Sequence, residues 1–354
     1  MFFIWRNSDI TLTPSPDETP KGNLKSNNES QKSSADTPPQ NGGGKTNDPK
    51  PNTTKTCINV NHKPNFKPPG FINKGNTCYA NAILQILGAL PALWATSPSK
   101  SGQLSGIARS VTTLMAWRER KAGPIDPSNF LRALQSTFHR QGCKDFNFNA
   151  QQDVPEVLKV VLDELKGASL NSSCIISTIL KHTITCNTCF TESSSEDSLD
   201  ILPVPIRPNV PKAIEVSLKP ETLSGENSRF CPVCNALTDC IKEATIISCG
   251  SILIVQLSRY SIIEGQLAKN TEFISCQHSL AVPIYSEDSI SFNNTYTLRA
   301  TINHSGSLTA GHYWAYVKDE EAGVWYSCDD KNVKLSKESC LNNKSAYVLF
   351  YVRS

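Results

Sequence analysis

The apolar positions of this chain recur with a helical spacing in its first half. Four segments carry an apolar residue at every third or fourth position, which places those side chains on one face of an α-helix. We therefore predict four amphipathic helices, each burying its apolar face. The apolar positions are Tyr79, Ile83, Leu84 and Leu87; Leu104, Ile107, Ala108, Val111, Leu114 and Met115; Phe130, Leu131, Leu134 and Phe138; and Val154, Val157, Leu158, Val161, Leu162 and Leu165.

The pattern changes from Ala244 onward to short runs rich in Ile, Val and Tyr, separated by Gly, Asn and Asp. Such runs predict β-strands. The predicted strands cover residues 245–247, 251–257, 296–302, 314–317, 324–326 and 346–352. Helices followed by strands indicate an α+β fold with one packed cleft.

The first 69 residues have a different composition. Few large apolar side chains occur between residues 8 and 69, so this segment cannot bury enough surface to offset the entropy lost on ordering. We expect a disordered, low-complexity N-terminal tail over residues 1–69 and one folded domain over residues 70–354. The opening apolar run, residues 1–5, is too short for a signal peptide or a spanning helix, so no membrane association is expected.

Charge and cysteine content exclude further classes. The 354 residues carry a net charge of +3, and the lysines of the tail are scattered, which gives no sign of nucleic-acid binding. The 13 cysteines are an odd number. Without a signal peptide, they favour free thiols and a bound metal in a reducing compartment over a disulfide framework.

Cys78 lies where a turn rich in Gly and Asn becomes the first predicted helix. Asn76 or Thr77 is expected to cap that helix. The positive end of the helix dipole stabilises a thiolate, so this position favours a nucleophile. Asn73 offers a side-chain amide for a developing oxyanion if the turn folds back over the thiol. The alternative is a buried structural cysteine.

Residues 70–81, GFINKGNTCYAN, resemble the Cys box of the ubiquitin-specific proteases, the papain-like deubiquitinases. Two later segments are similar to family strands, ILIVQLSRY at 252–260 and AYVLFY at 346–351. The resemblance implies a papain-like cysteine protease fold with a helical thumb, a β palm and zinc-braced β fingers. It also implies ubiquitin and ubiquitinated proteins as partners, a monomer, and a cytoplasmic or nuclear location.

His312 is the candidate general base. It lies in Gly311-His312-Tyr313, after a flexible loop and at the start of a predicted strand, where an imidazole can meet a thiol across a cleft. Position alone leaves a solvated surface histidine equally open. The segment is similar to the family's G-H-Y-x-x-Y pattern, which implies the catalytic role.

Asp329 is the candidate that orients the imidazole, and Asp330 is second choice. The run from Trp325 to Asp330 resembles the family's W-x-x-F-[DN]-D, with Cys328 in place of Phe. Successive side chains on a strand point to opposite faces, so only one aspartate can reach the ring.

Asp153 and Glu156 form a D-x-x-E arrangement that predicts a capped helix. The segment also resembles the family's QQD-x-x-E-F, which implies a border of the cleft for ubiquitin's basic tail. Pro155 and Val157 depart from that pattern.

Two Cys-x-x-Cys pairs predict one closed, structural zinc site with four thiolate ligands. The ligands are Cys186, Cys189, Cys231 and Cys234. The 41 residues between the pairs require the fold to bring them together. Free buried thiols or another pairing remain the alternative, and the resemblance, which places zinc in the fingers, favours the metal. No cofactor is expected for catalysis.

The sequence therefore predicts a thiol-dependent deubiquitinase. Two alternatives stay open: a module of the same fold that binds ubiquitin without cleaving it, and a protease for another ubiquitin-like modifier.

Overall fold

The structure is a computed structural model that describes residues 67–95, 104–119, 123–168, 175–263, 265–286, 289–307 and 310–354. The predicted disordered tail falls almost wholly on residues 1–66, which lie outside the described residues. Residues 67–71 already belong to the folded domain, since Gln85 donates to the carbonyl of Pro69 at 2.8 Å and Phe71 bridges Ile125.

The four predicted helices are present, and a fifth was not predicted. The helices are α1 (Cys78–Ala89), α2 (Gly106–Arg118), α3 (Ser128–Arg140), α4 (Val154–Ala168) and α5 (Val210–Ser217). Short 3-10 turns cover Pro91–Leu93, Gly225–Asn227 and Glu338–Leu341. Every side chain from Cys78 to Leu87 is buried, so α1 is enclosed by the other helices on one side and a sheet on the other.

The strands begin earlier in the chain than predicted. They are β1 (Thr178–Cys186), β2 (Glu192–Leu199), β3 (Leu202–Pro205), β4 (Glu221–Leu223), β5 (Arg229–Cys231), β6 (Ala236–Thr238), β7 (Cys240–Cys249), β8 (Ile252–Ser258), β9 (Tyr260–Ile263), β10 (Gln266–Lys269), β11 (Ser279–Tyr285), β12 (Ile290–Gly306), β13 (Gly311–Asp319), β14 (Val324–Asp329), β15 (Asn332–Ser336) and β16 (Ala346–Arg353). The six predicted strands fall within β7, β8, β12, β13, β14 and β16.

The large sheet has the strand order β15-β14-β13-β12-β16-β8-β3, and β11 also pairs with β12. Its pairs are antiparallel except for β3 with β8. One face packs on α1 to α4 in the larger core cluster. The other face packs on α5 and β11 in the second cluster. Strand β16 comes last in sequence and lies in the middle of the sheet.

A second sheet has the order β2-β1-β7-β4, and the two-stranded β5–β6 hairpin follows β4 in the chain. Strand β2 is its edge, and the sequence ESSSEDSL is exposed along almost its whole length. No apolar alternation marks this strand, which explains why the sequence pattern did not predict it. Charged and hydroxyl side chains suit an unpaired edge because they disfavour pairing with other chains.

The start of α3 lies one residue later than an Asp–Pro pair usually gives. Such a pair typically has Asp as the cap and Pro as the first helical residue, but α3 begins at Ser128 with Pro127 in the cap position. Asp126 still accepts hydrogen bonds from the backbone N–H and the hydroxyl of Ser128, at 2.9 and 2.5 Å. Its carboxylate therefore satisfies a free N–H group at the helix start, as such residues do.

Candidate active site

Three predicted site residues meet where α1 faces the β13–β14 hairpin. Cys78 is the first residue of α1 and is 2% exposed. His312 lies at the start of β13 and Asp329 at the end of β14. The two strands pair antiparallel with Ala315 opposite Cys328, which brings the start of one strand beside the end of the other.

The His312 imidazole lies between a thiol and a carboxylate. Its Nε2 is 2.7 Å from Oδ1 of Asp329. Since Nε2 faces the carboxylate, Nδ1 is the nitrogen left for the thiol of Cys78. Interaction with the Cys78 sulfur raises the pKa of His312 to about 9, with a smaller contribution from Asp329. At neutral pH the ring is therefore cationic, which favours a thiolate–imidazolium pair.

The predicted capping of α1 is wrong. Thr77 occupies the cap position, but its side chain makes no capping hydrogen bond. Its hydroxyl instead accepts from the backbone N–H of Lys74 at 2.9 Å and lies 3.2 Å from Oδ1 of Asn73. The Asn76 amide turns away and donates to the carbonyl of Asn149 at 2.9 Å. Both side chains therefore shape the turn before the helix and do not cap the N–H groups of α1.

Asn73 is fixed at both ends of its amide. Its Oδ1 accepts from the N–H groups of Gly75 and Thr77 at 3.0 and 3.2 Å, which closes the turn. Its Nδ2 donates to Oδ2 of Asp330 at 2.8 Å. One of the two N–H bonds of Nδ2 is thereby used, and the other remains to be given to a bound group.

Asp330 is a link between the Cys78 turn and the β14 end. Its Oδ1 accepts from Nδ2 of Asn81 at 2.8 Å, in addition to the bond from Asn73. Its carbonyl accepts from the N–H of Phe71 at 2.9 Å, and its φ is +49°. A Cβ at Gly70 would lie 2.5 Å from backbone atoms of Lys331, so only glycine permits this approach. Asp329 thus binds the imidazole of His312, and Asp330 binds the turn before Cys78.

Gln151 joins the two sides of the cleft. Its Nε2 donates to Oδ1 of Asn76 at 3.2 Å and to the carbonyl of Gly311 at 3.1 Å. One contact lies on the turn before Cys78, and the other lies on the residue before His312. This side chain therefore sets the spacing between the thiol and imidazole segments.

Asp153 and Glu156 lie close together at the start of α4. The hydroxyl groups of Tyr313 and Tyr347 donate to the Asp153 carboxylate at 3.2 and 3.0 Å. Burial raises the pKa of Asp153 to about 6. Burial, with the neighbouring Asp153 charge, raises the pKa of Glu156 to about 7. Two carboxyl groups with raised pKa values make this part of the site ready to accept a cation.

The four predicted metal ligands form a second, separate cluster at the end of the smaller sheet. All four sulfur atoms lie within 4.8 Å of one another. Cys186 and Cys234 are 3.9 Å apart, and Cys189 and Cys231 are 3.5 Å apart. Tetrahedral zinc with Zn–S bonds of about 2.3 Å requires sulfur atoms roughly 3.8 Å apart, so the cluster fits that metal.

The two Cys-x-x-Cys segments have the same backbone arrangement. Each follows a strand end, β1 or β5, and each is followed by a residue in the left-handed region, Phe190 at φ 59° and Asn235 at φ 51°. Threonine hydroxyls lie 3.2 Å from two of the sulfur atoms, Thr238 on Cys186 and Thr191 on Cys189. These hydrogen bonds lower the pKa of Cys186 and of Cys189, whereas the hydrogen bond with Cys189 raises the pKa of Cys234.

A family model described as ubiquitin carboxyl-terminal hydrolase matches residues 69–351. The chain belongs to this family. Ubiquitin carboxyl-terminal hydrolase 42 of Homo sapiens is 30% identical over 307 residues, which are 80% of this chain and 23% of the relative. Ubiquitin carboxyl-terminal hydrolase 17-like protein 12 of Homo sapiens is 31% identical over 321 residues, which are 83% of this chain and 57% of the relative. This chain therefore spans less than two thirds of the length of either relative.

Membership in the ubiquitin carboxyl-terminal hydrolase family confirms the predicted family and fold class. The α+β architecture divides as a papain-like fold requires: α1 to α4 form the thumb, the large sheet forms the palm, and the smaller sheet with its four-cysteine cluster forms the fingers. Within the described ranges, no helix has both the length and the apolar character needed to cross a membrane.

Three contributors to this hydrolase site were not predicted from the sequence. Asn81 is a buried polar residue, 2% exposed, within the buried helix α1. A polar residue among apolar ones was the sequence feature that could have indicated its role. Gln151 lies two residues before Asp153 in the same motif. Only its contacts across the cleft, which the sequence does not reveal, show that it contributes to the site. His304, 2% exposed, lies against the segment that carries His312. A histidine inside a strand gives no sequence signal for that role.

Proposed function

We propose that this chain is a thiol-dependent deubiquitinase that hydrolyses the isopeptide or peptide bond at the C-terminal glycine of ubiquitin. The observation that carries the proposal is the Cys78–His312–Asp329 arrangement: a thiol at a helix start, next to an imidazole that is hydrogen-bonded to a carboxylate. A nucleophile, a base and an orienting group in this order are the requirements for cysteine catalysis. The names of the family and of its relatives support ubiquitin as the substrate.

In the first step, the Cys78 thiolate attacks the carbonyl carbon of the terminal glycine and forms a tetrahedral oxyanion. The free N–H of the Asn73 amide and backbone N–H groups near Cys78 stabilise that charge. The His312 imidazolium then gives its proton to the leaving lysine amine, and the C–N bond breaks. His312 next takes a proton from water, which attacks the thioester and releases ubiquitin with a free carboxylate.

Asp153 and Glu156 suit the basic C-terminal tail of ubiquitin. Both lie at the start of α4, and the Asp153 carboxylate is bonded to Tyr313, which directly follows His312. A cationic side chain bound there neutralises two partly desolvated carboxyl groups, so it favours their ionised form. The carboxylates therefore contribute to binding rather than to bond cleavage.

We infer that Cys186, Cys189, Cys231 and Cys234 hold one zinc ion. Their spacing fits the tetrahedral metal, and four protein ligands leave no position for water, so zinc would brace the fingers and take no part in the reaction. The cysteines of the described residues are free thiols, which agrees with a cytoplasmic or nuclear location. A monomer without nucleic acid or membrane partners completes the proposal.

The decisive experiment incubates the purified chain with ubiquitin that carries an electrophile at its C-terminus. We expect covalent labelling of wild type and none of Cys78→Ala, with both proteins equally folded by circular dichroism. Probes made from other ubiquitin-like modifiers run in parallel. Labelling by one of them in place of ubiquitin would identify a different modifier protease. Tight binding of ubiquitin without labelling would identify a binding module.

A further inference from the structure

His304 is a buried, neutral imidazole placed directly behind the segment of His312. It pairs across the strands with Tyr313, and its ring stacks on the Tyr313 ring at 4.3 Å between centroids. Burial, followed by the charge of Lys269, lowers the pKa of His304 to about 4. A ring that stays neutral at physiological pH cannot replace His312 as the ionised partner of a thiol. Its contacts point to support of the neighbouring backbone.

The His304 ring occupies the space that a side chain at position 311 would need. A Cβ at Gly311 would lie 2.1 Å from Nε2 of His304 and 2.7 Å from the carbonyl of Ser305. The His304 ring is therefore in direct contact with the residue that precedes His312. A displacement of the ring requires a displacement of Gly311, and with it of the His312 backbone.

Lys269 fastens both His304 and the loop that leads to His312. Its Nζ is 3.1 Å from Nδ1 of His304, 3.2 Å from the His304 carbonyl and 2.8 Å from the Gly306 carbonyl. An ammonium group has three N–H donors; the two carbonyls accept from Lys269, whereas the Tyr260 hydroxyl also lies 2.9 Å from Nδ1 of His304 and shares that nitrogen with the lysine. Gly306 pairs with Gly311 across the base of the loop, so the lysine holds the end of β12 from which the loop departs.

The β9–β10 hairpin that carries Lys269 is anchored to the large sheet at its base. It ends β10 and lies opposite Tyr260 of β9 in the hairpin register. Directly before this hairpin, the buried Arg259 donates to the carbonyls of Ala346, Asn270 and Glu272 at 2.6, 3.0 and 3.0 Å. The hairpin base is thereby tied to β16. Its outer part carries exposed apolar side chains, Ile262 at 61% and Leu267 at 48%.

We propose that Lys269 is a positioning residue for His312: through His304 and Gly306 it transmits the position of the β9–β10 hairpin to the general base. The inference uses the proposed function only for its turnover measurement. The position of the imidazole relative to Cys78 is then set from outside the catalytic residues. A misplacement on the order of 1 Å costs roughly a hundredfold in rate, so loss of the lysine's bonds to the His304 and Gly306 carbonyls is sufficient to matter.

The test replaces Lys269 by Met, which keeps the aliphatic length but removes the three donors. We expect kcat on a fluorogenic ubiquitin substrate to fall roughly 10- to 100-fold, with KM changed by less than about threefold because the residue does not touch the scissile bond. The rate at which iodoacetamide alkylates Cys78 at pH 7, followed by mass spectrometry of the Cys78 peptide, is expected to fall about tenfold because the thiolate loses its aligned partner. Lys269→Arg, which retains charge and donors, is expected to recover most of both rates.

Gln266→Met is the matched control, since Gln266 is exposed at the other end of the same strand; it is expected to behave as wild type. Wild-type alkylation and kcat in Lys269→Met would overturn the proposal, as would equal losses in the two Met variants. If Lys269→Met does not fold, Lys269→Gln is measured in its place, with the same expected losses and the same refuting result. The alkylation measurement needs no ubiquitin, so it tests Lys269 even if the chain proves to act on another modifier.

Discussion

The same substitution, Asp to Asn, is expected to decrease kcat by very different factors at two adjacent positions, 329 and 330. Asp329 uses only Oδ1, which accepts from the imidazole at 2.7 Å, and its side chain is 51% exposed. An asparagine retains an oxygen in that place and turns its NH₂ group to water. The loss is the difference between a charge-assisted and a neutral hydrogen bond, about 1 kcal/mol or roughly a fivefold decrease in kcat.

Asp330 uses both oxygens, each accepting an amide N–H at 2.8 Å. An asparagine has one oxygen, so its NH₂ group must face the NH₂ group of Asn73 or of Asn81. The change removes one charge-assisted hydrogen bond and brings two N–H donors face to face, which costs about 1.5–3 kcal/mol of interaction free energy. If the loss falls on the orientation of the Asn73 amide, kcat decreases roughly 10- to 150-fold. The backbone is not the cause, because asparagine tolerates a φ of +49° as well as aspartate does.

The assay is steady-state turnover of a fluorogenic ubiquitin substrate at pH 7.5 by Asp329→Asn, Asp330→Asn and the two alanine variants, with thermal unfolding as the folding control. Asp329→Ala leaves the ring N–H without an acceptor and is expected to cost on the order of a hundredfold. If Asp330→Asn turns over at the wild-type rate while Asp329→Asn loses a hundredfold, the assigned roles of the two carboxylates are reversed.

Three further measurements address other parts of the molecule. The value of kcat is expected to fall as pH rises through about 9, the pKa of His312, because the leaving amine then lacks its proton donor. The value of KM is expected to rise as pH falls through about 7 and 6, the pKa values of Glu156 and Asp153, because neutral carboxyl groups no longer attract a basic tail. A flat pH profile of kcat or of KM contradicts the corresponding prediction. Cys231→Ser is expected to lower zinc content, about one per wild-type chain, and the unfolding temperature; metal-free wild type contradicts it. A chain beginning at residue 68 keeps the contact of Gln85 with Pro69 and is expected to retain full turnover of simple ubiquitin substrates, so a large loss would show that the tail packs on the domain.

Local signals predicted the parts of this fold that have a strong period or a special residue. The four helical stripes carried enough apolar positions to specify their buried faces, and the apolar runs rich in Ile, Val and Tyr predicted β8 and β16 as strands. The polar β2 lacked such a pattern because it is an exposed edge, and α5 was too short for its period to stand out. Membership in the family model then confirmed what the Cys box had indicated.

The site divides in the same way. The positions of Cys78, His312 and the four metal ligands followed from motifs, since each motif fixes a chemical group to a turn or a strand start. The contacts of Asn81, Gln151 and Lys269 are made across the tertiary structure, between residues as far apart as Asn81 and Asp330. No local spacing contains that information. The capping prediction was wrong because other partners compete for both side chains: the distant Asn149 carbonyl for Asn76, and Lys74 and Asn73 of the same turn for Thr77.

The position of β16 has a consequence for how the protein is made on the ribosome. Strands β12 and β8 do not pair with each other; β16 lies between them and pairs with both. During synthesis, the half of the sheet that carries His312 therefore cannot join the half that leads to the fingers until β16 has left the exit tunnel. Cys78 also leaves the ribosome well before His312, which lies on the later strand β13. The large sheet is thus completed only when β16 is available to join its two halves.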